Sequence, residues 1–124
     1  MTAKVYDNGD VVMYQGDDIY LRFFGVPTDD NYDAFIEIKD VETRKTIAPQ
    51  VQTQTNFQDF VSFHLLGAYT KLMTVPDDAK YKNYSYAVKY CNEAKGIEQT
   101  FLIGGKDIGE LNIIKVFPQG VEGI

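Results

Sequence analysis

Short runs of alternating apolar and polar residues, separated by turn residues, constrain this chain more than any other feature of its sequence. A period of two places successive side chains on opposite faces of a β-strand, whereas a helix needs a period near 3.6. The clearest run has Ala34, Ile36 and Ile38 on one face, with Glu37 and Lys39 on the other. Alternation repeated in this way along a chain predicts an all-β fold.

Seven or eight strands follow from this pattern, and we expect them to form a two-sheet antiparallel β-sandwich of the immunoglobulin-like type. The predicted strands cover residues 11–15, 18–24, 32–40, 46–53, 57–66, 84–91, 97–103 and 111–117. The polar run 46–53 is expected at a sheet edge. Tyr84 begins its strand after a crossover, as the corner tyrosine of immunoglobulin-like domains does.

The period becomes helical at residues 67–73, where Tyr69, Leu72 and Met73 are three and four positions apart. We expect one or two helical turns there, crossing between the sheets. The expected core contains the inward residues of three strands. They are Ile19, Leu21, Phe23, Ala34, Ile36, Ile38, Val61, Phe63 and Leu65.

The length of 124 residues fits one domain covering residues 1–124, with an N-terminal segment at 1–9 and a C-terminal tail at 118–124. The single cysteine, Cys91, cannot form an internal disulfide, and the first residues lack the apolar run of a secretory signal. We therefore expect synthesis in a reducing cytoplasm. No apolar stretch reaches the roughly 20 residues of a membrane helix, so we expect no membrane partner.

Acidic residues outnumber basic ones, 18 to 12, which gives a net charge of −6. The excess lies in residues 1–60, which carry 11 acidic and five basic side chains. An acidic surface without a basic stripe repels a phosphate backbone, so we expect no nucleic-acid partner. A cation or a basic protein fits this charge better.

The sequence contains no set of residues with the spacing of a catalytic site. His64, the only histidine, is expected mid-strand on the outer face beside Ser62, far in sequence from Cys91. A nucleophile, a base and an orienting group are needed together. We therefore expect no catalytic residues and no cofactor. One histidine and one cysteine also cannot supply the four ligands of a usual zinc site.

Aspartates cluster at several predicted turns. They are Asp17-Asp18, Asp29-Asp30 and Asp77-Asp78, with Asp10 and Asp33 nearby. Calcium takes six to eight oxygen ligands, and loops at one end of a sandwich could supply them. The ordered spacing of a calcium loop is missing, however, and aspartate is common in turns. Solvated turns are the favoured interpretation, and a calcium site remains the alternative.

Three aromatic residues, Tyr20, Phe24 and Phe60, are predicted on the outer face of their strands. Exposed aromatic surface of this kind indicates a partner or subunit contact, unless a loop or the N-terminal segment covers it. The predicted interface also includes Phe117, at the end of the last predicted strand, and Val121, in the C-terminal tail that could add a strand to a neighbour.

Several motifs, in order between residues 11 and 118, carry a family resemblance. They are Tyr14-Gln15-Gly16-Asp17, Ile19-Tyr20-Leu21-Arg22-Phe23, Thr70-Lys71-Leu72, Tyr84-Ser85-Tyr86-Ala87-Val88-Lys89, Glu98-Gln99-Thr100-Phe101-Leu102-Ile103-Gly104 and Val116-Phe117-Pro118. Through them the chain resembles small all-β virion proteins of tailed bacteriophages, in particular the N-terminal domain family of baseplate upper proteins. The resemblance implies a non-enzymatic structural or adaptor protein of the tail, baseplate or head. Such a protein is made in the host cytoplasm and assembles into the virion with copies of itself or with other virion proteins.

A second hypothesis is a carbohydrate-binding or calcium-dependent adhesion module. Tyrosine-rich faces can stack on sugars, and the aspartate-rich turns supply oxygen ligands. The absence of tryptophan, the usual stacking residue of such sites, counts against it.

Overall fold

The computed structural model describes residues 3–27, 32–47, 53–56 and 60–119, with residues 53–56 described by their backbone alone. These residues form two sheets. The larger sheet consists of β1 (Lys4–Val5), β2 (Val11–Tyr14), β4 (Asp33–Asp40), β7 (Lys82–Asn92), β8 (Ile97–Phe101) and β9 (Asn112–Phe117). The smaller sheet consists of β3 (Ile19–Phe24), β5 (Thr53–Asn56) and β6 (Phe60–Leu65). One helix, α1 (Gly67–Thr70), lies between β6 and β7, and a 3₁₀ turn at Glu93–Lys95 joins β7 to β8.

The strand order confirms the predicted two-sheet, immunoglobulin-like sandwich. The larger sheet has the order β1-β2-β9-β7-β4, with β8 beside the second half of β7, and the smaller sheet has the order β3-β6-β5. The trios β4-β7-β9 and β3-β6-β5 correspond to the C-F-G and B-E-D strands of immunoglobulin domains. The β2–β9 pair is parallel, whereas the other pairs among the described strands are antiparallel.

The corner tyrosine predicted from the sequence is present. Tyr84 is buried near the start of β7, and its hydroxyl donates a hydrogen bond to the carbonyl oxygen of Thr74, 2.6 Å away. The predicted helical crossover is also confirmed, since α1 leads from the smaller sheet towards the larger one. The hydroxyl of Thr70 anchors this helix by donating to the carbonyl oxygen of Asp17, at 2.9 Å.

One cluster of apolar side chains fills the space between the sheets. All nine residues predicted to point inward from three strands belong to it. Burying such side chains contributes about 25 cal/mol per Å² of apolar surface, which makes this cluster the main stabilising feature of the fold. The other members are Val11, Met13, Val26, Tyr69, Met73, Tyr84, Tyr86, Val88, Ile103, Ile114 and Val116.

The strand predicted at residues 46–53 differs from the structure. The chain reverses direction after Asp40, and the N–H of Ile47 donates to the carbonyl oxygen of Ile38, so residues 46–47 return along β4. Residues 48–52 lie outside the described part of the chain. The polar edge strand is β5, which begins where the predicted strand ends. A tight turn that has Arg44 at a φ of 62° explains the early return.

Candidate functional site

The outer face of the smaller sheet carries the aromatic residues predicted for an interface. Tyr20 and Phe24 expose 53% and 65% of their surface, and Phe60 is half-buried. The antiparallel register places Tyr20 opposite His64 and Phe24 opposite Phe60. We call these four residues the aromatic face. The structure thus brings together three of the five predicted interface residues and adds a histidine that the sequence placed correctly on the same side.

The first pair of the aromatic face is a flat stack. The rings of Tyr20 and His64 have centroids 4.2 Å apart and planes 13° from parallel. His64 Nε2 also lies 3.8 Å from a carboxylate oxygen of Asp18, whose other oxygen accepts a hydrogen bond from the backbone N–H of Gly67. These contacts hold the imidazole from two sides and limit the rotation of both rings.

The second pair is tilted and is joined by a cation. Phe24 and Phe60 have centroids 5.1 Å apart at an angle of 43°, and the guanidinium of Arg22 lies 5.5 Å from the Phe60 ring centroid. This distance allows a cation–π interaction. Ser62, expected to be exposed, is buried, because it lies between the two pairs and opposite Arg22 on the central strand of the sheet. Aromatic and cationic groups therefore cover the part of this face formed by β3 and β6.

The remaining predicted interface residues do not join the aromatic face. Phe117 lies on the outer face of the larger sheet, where its ring is 6.2 Å from that of Tyr14 and 5.8 Å from that of Tyr81. The ammonium group of Lys115 lies over Tyr81, 4.5 Å from the ring centroid. Phe117 is therefore part of a separate aromatic cluster. Val121 lies outside the described residues.

Sequence reasoning missed an apolar loop at residues 102–111. Leu102 and Leu111 are exposed there, and Ile108 exposes 89% of its surface. The loop borders a cleft of about 470 Å³ whose floor includes Tyr86 and Ala87. Its signal in the sequence is four large aliphatic residues, Ile103 among them, in a stretch rich in glycine, a combination that turns exposed to water rarely use.

The most connected ion pair lies on the larger sheet, away from the aromatic face. Lys82 Nζ is 3.1 Å from a carboxylate oxygen of Asp40 and 3.4 Å from Glu42. Burial by itself would raise the pKa of Asp40, but the hydrogen bond from Lys82, the backbone N–H groups of Thr43 and Glu42, and the Lys82 charge outweigh it and lower that pKa. For Lys82, burial would lower the pKa, but its two carboxylate partners raise it. Lys82 and Asp40 thus contact the turn that follows β4, where Glu42 and Thr43 lie.

The candidate nucleophile and base do not meet. Cys91 lies on β7 in the larger sheet, whereas His64 lies on β6 in the smaller one. Burial and the nearby charges of Asp33, Glu93 and Glu98 raise the pKa of the Cys91 thiol. A raised pKa disfavours the thiolate that nucleophilic chemistry requires.

The aspartates considered for calcium occupy separate places. Asp10 accepts from the backbone N–H of Ile113 and pairs with Lys106 at 3.4 Å, so its carboxylate is used within the fold. Asp77 and Asp78 are exposed in a turn, and the pair at 29–30 is outside the described ranges. In the part of the chain that the structure describes, no three His, Cys, Asp or Glu side chains are grouped so that they could hold a metal ion.

Comparison with known proteins assigns this chain to no family. The chain matches no protein-family model and no curated protein sequence. None of the helices in the described segments has the length and apolar character needed to cross a membrane. The aromatic face is therefore the feature with the clearest functional chemistry.

Proposed function

We propose that this chain is a non-enzymatic assembly protein of a phage particle, in the tail, baseplate or head, that docks onto its neighbours through the aromatic face. One observation carries the proposal: Tyr20 and Phe24 expose more than half of their residue surface on a regular strand, and each is paired with a second ring across the sheet. Large aromatic patches on a protein surface mark sites of contact with other proteins.

The chemistry of this face suits a protein interface. Aromatic residues and arginine dominate the binding energy of interfaces, and Arg22 lies between the two aromatic pairs. Ring contacts to His64 and Phe60 already order the exposed rings, so docking would cost less side-chain entropy than it would for free side chains.

Charge indicates the partner's character. The chain carries a net charge of −6, and the acidic excess lies in the half that contains β3. Complementary charge steers association and suppresses wrong partners, so a neighbour with a basic rim around an apolar patch fits best. The phage setting rests on the sequence motifs between residues 11 and 118.

Particle incorporation tests this proposal. Particles would be purified by density gradient from cells producing the chain at its native locus, and their proteins identified by mass spectrometry. The expected result is that the wild-type chain is present, whereas a Phe24→Ser, Phe60→Ser double variant is lost from the particles. A matched Phe35→Ser, Leu102→Ser variant, which removes one exposed apolar side chain from the larger sheet and one from the 102–111 loop, should remain. Absence of the wild-type chain from the particles would overturn the proposal.

Circular dichroism of each purified variant separates loss of docking from loss of folding. Both double variants change partly exposed side chains, so they should keep the β-sheet spectrum of the wild type. Equal incorporation of both folded variants would show that the aromatic face is not the docking surface.

A further inference from the structure

The outer edge of β3 has no neighbouring strand among the described residues. The smaller sheet has the order β3-β6-β5, and β2, which could have extended this sheet next to β3, pairs with β9 in the other sheet instead. In immunoglobulin constant domains the A strand covers this edge. Here the six residues Ile19–Phe24 leave a row of backbone N–H and C=O groups along that edge to which no described strand is paired.

The other sheet edges in the described segments are short, polar or covered. β1 has only two residues, and β5 has the polar sequence Thr-Gln-Thr-Asn. The edge of β4 is bridged by Thr46, and β8 exposes Glu98, Gln99 and Thr100. β3 has few of the usual protections, since Arg22 is its one charged residue and it lacks proline, lysine and inward-pointing charge. It is therefore the edge best suited to accept another strand.

We propose that β3 pairs with β3 of a second copy of this chain, antiparallel and around a two-fold axis, to form a continuous six-stranded sheet. Edge-to-edge pairing of this kind is an established way for strands to add to a sheet. The inference deepens the proposed assembly function and rests on it for its biological setting. Its result is a dimer that presents two aromatic faces on one side of the joined sheet.

Symmetry restricts the register to a few choices. A two-fold axis perpendicular to the sheet keeps outward residues opposite outward residues, so the axis must pass through a residue pair. Two registers pair five residues of each strand: one has Leu21 on the axis, and the other has Arg22. The second places two guanidinium groups directly opposite each other, and like charges in that position are destabilising. The register with Leu21 on the axis is therefore favoured.

This register joins complementary side chains. Tyr20 lies opposite Arg22 of the second copy, twice by symmetry, which allows two cation–π contacts. On the inner side, Ile19 lies opposite Phe23 of the second copy, so the two apolar cores continue across the joined sheet.

Mass measurement gives the first test. Light scattering on a sizing column should find the purified wild-type chain at about twice its mass of 14.1 kDa as concentration rises. Tyr20→Lys places two ammonium groups opposite the two guanidinium groups, so we expect dimerisation to weaken by roughly tenfold or more. Phe35→Lys is the matched control, since it adds the same charge on the outer face of the larger sheet and should leave the dimer unchanged.

Charge reversal tests the register. In the Tyr20→Lys, Arg22→Glu double variant, each lysine lies opposite a glutamate of the second copy, so the dimer should return. Cysteine pairs give a second test in a Cys91→Ser background. Tyr20→Cys mixed with Arg22→Cys should form a disulfide under mild oxidation, because directly opposed strand residues satisfy disulfide geometry, whereas either variant alone should not.

The contrary outcomes are distinct. A monomer at the highest soluble concentration, a dimer that Tyr20→Lys does not weaken, or cross-linking by a single cysteine variant alone would each overturn this inference. The proposed assembly function would be unaffected, because particle incorporation of the Phe24→Ser, Phe60→Ser variant tests it independently of whether the chain dimerises.

Discussion

The hydroxyl of Tyr84 reaches back to the carbonyl oxygen of Thr74, ten residues earlier, and closes the segment between α1 and β7. The ring of Tyr84 is among the largest fully buried side chains in the described core. One residue therefore anchors the crossover in two ways, by apolar packing and by a hydrogen bond.

Tyr84→Phe should keep the packing and remove the hydrogen bond. Because the carbonyl oxygen of Thr74 loses its donor, we expect the free energy of unfolding to fall by about 1 to 2 kcal/mol. Urea denaturation followed by circular dichroism measures this. Tyr81→Phe is the control, since Tyr81 is exposed and its hydroxyl bonds to no described residue; a loss of the same size there would contradict the assignment.

The stack of Tyr20 on His64 should show as an energetic coupling. A double-mutant cycle with Tyr20→Ala and His64→Ala should give a coupling free energy of about 0.5 to 1.5 kcal/mol, the range of aromatic pairs beyond their buried area. The comparison cycle, Phe24→Ala with His64→Ala, joins residues at opposite ends of the same two strands and should give almost none. Similar coupling free energies in both cycles would mean that the contact between the Tyr20 and His64 rings contributes nothing of its own to stability.

Lowering the pH should remove the contribution that the Lys82–Asp40 pair makes to the free energy of unfolding. Because folding lowers the pKa of Asp40, its contribution is present above its unfolded pKa of about 3.9 and is lost as pH falls towards the folded value. Lys82→Met removes the main partner, so stability should fall less between about pH 5 and pH 2 in the variant than in the wild type. Urea midpoints at both pH values measure the difference.

A second lysine serves as the control for the acid experiment. Lys89→Met changes a residue on the same strand that forms no ion pair with a described residue. It should keep the wild-type dependence on pH. A flattened dependence in this control as well would assign the effect to net charge rather than to the Lys82–Asp40 pair.

Replacing each of two adjacent glycines in the 102–111 loop by alanine should reduce the stability of the fold by different amounts. Both Gly104 and Gly105 have a positive φ, of 66° and 76°, which disfavours a side chain. A Cβ at Gly104 would overlap the backbone of Asn8, whereas one at Gly105 meets open space. We expect Gly105→Ala to cost about 1 kcal/mol, and Gly104→Ala clearly more. Thermal denaturation of the two variants measures the losses of stability. Equal losses would show that the backbone near Gly104 moves to make room for the added methyl group.

The alternation of apolar and polar residues along single strands was enough to predict much of the fold. Residues two positions apart on a strand lie on the same face, so the pattern indicates which residues point inward. Ile19, Leu21 and Phe23 point inward and Tyr20 and Phe24 outward, as their spacing indicates. The corner tyrosine and the helical crossover were also predictable, since each depends on a local change of pattern.

Pairing between distant segments was not predictable in the same way. The parallel pairing of Val11 with Ile114 joins segments from opposite ends of the chain, and no local pattern encodes a partner that far away. The return of residues 46–47 along β4 depends on a turn whose positive φ falls on Arg44, a residue that does not signal one. Burial of Ser62 likewise depends on Arg22 from the neighbouring strand.

The parallel β2–β9 pair has a mechanical consequence. A pull that drew the two ends of the chain apart would first peel β1 from β2, where the pairs open one after another. It would then meet four residue pairs between β2 and β9 aligned along the direction of the force. Strands in that arrangement must slide past each other, so all their hydrogen bonds share the tension at once, and the domain would resist extension until they fail together.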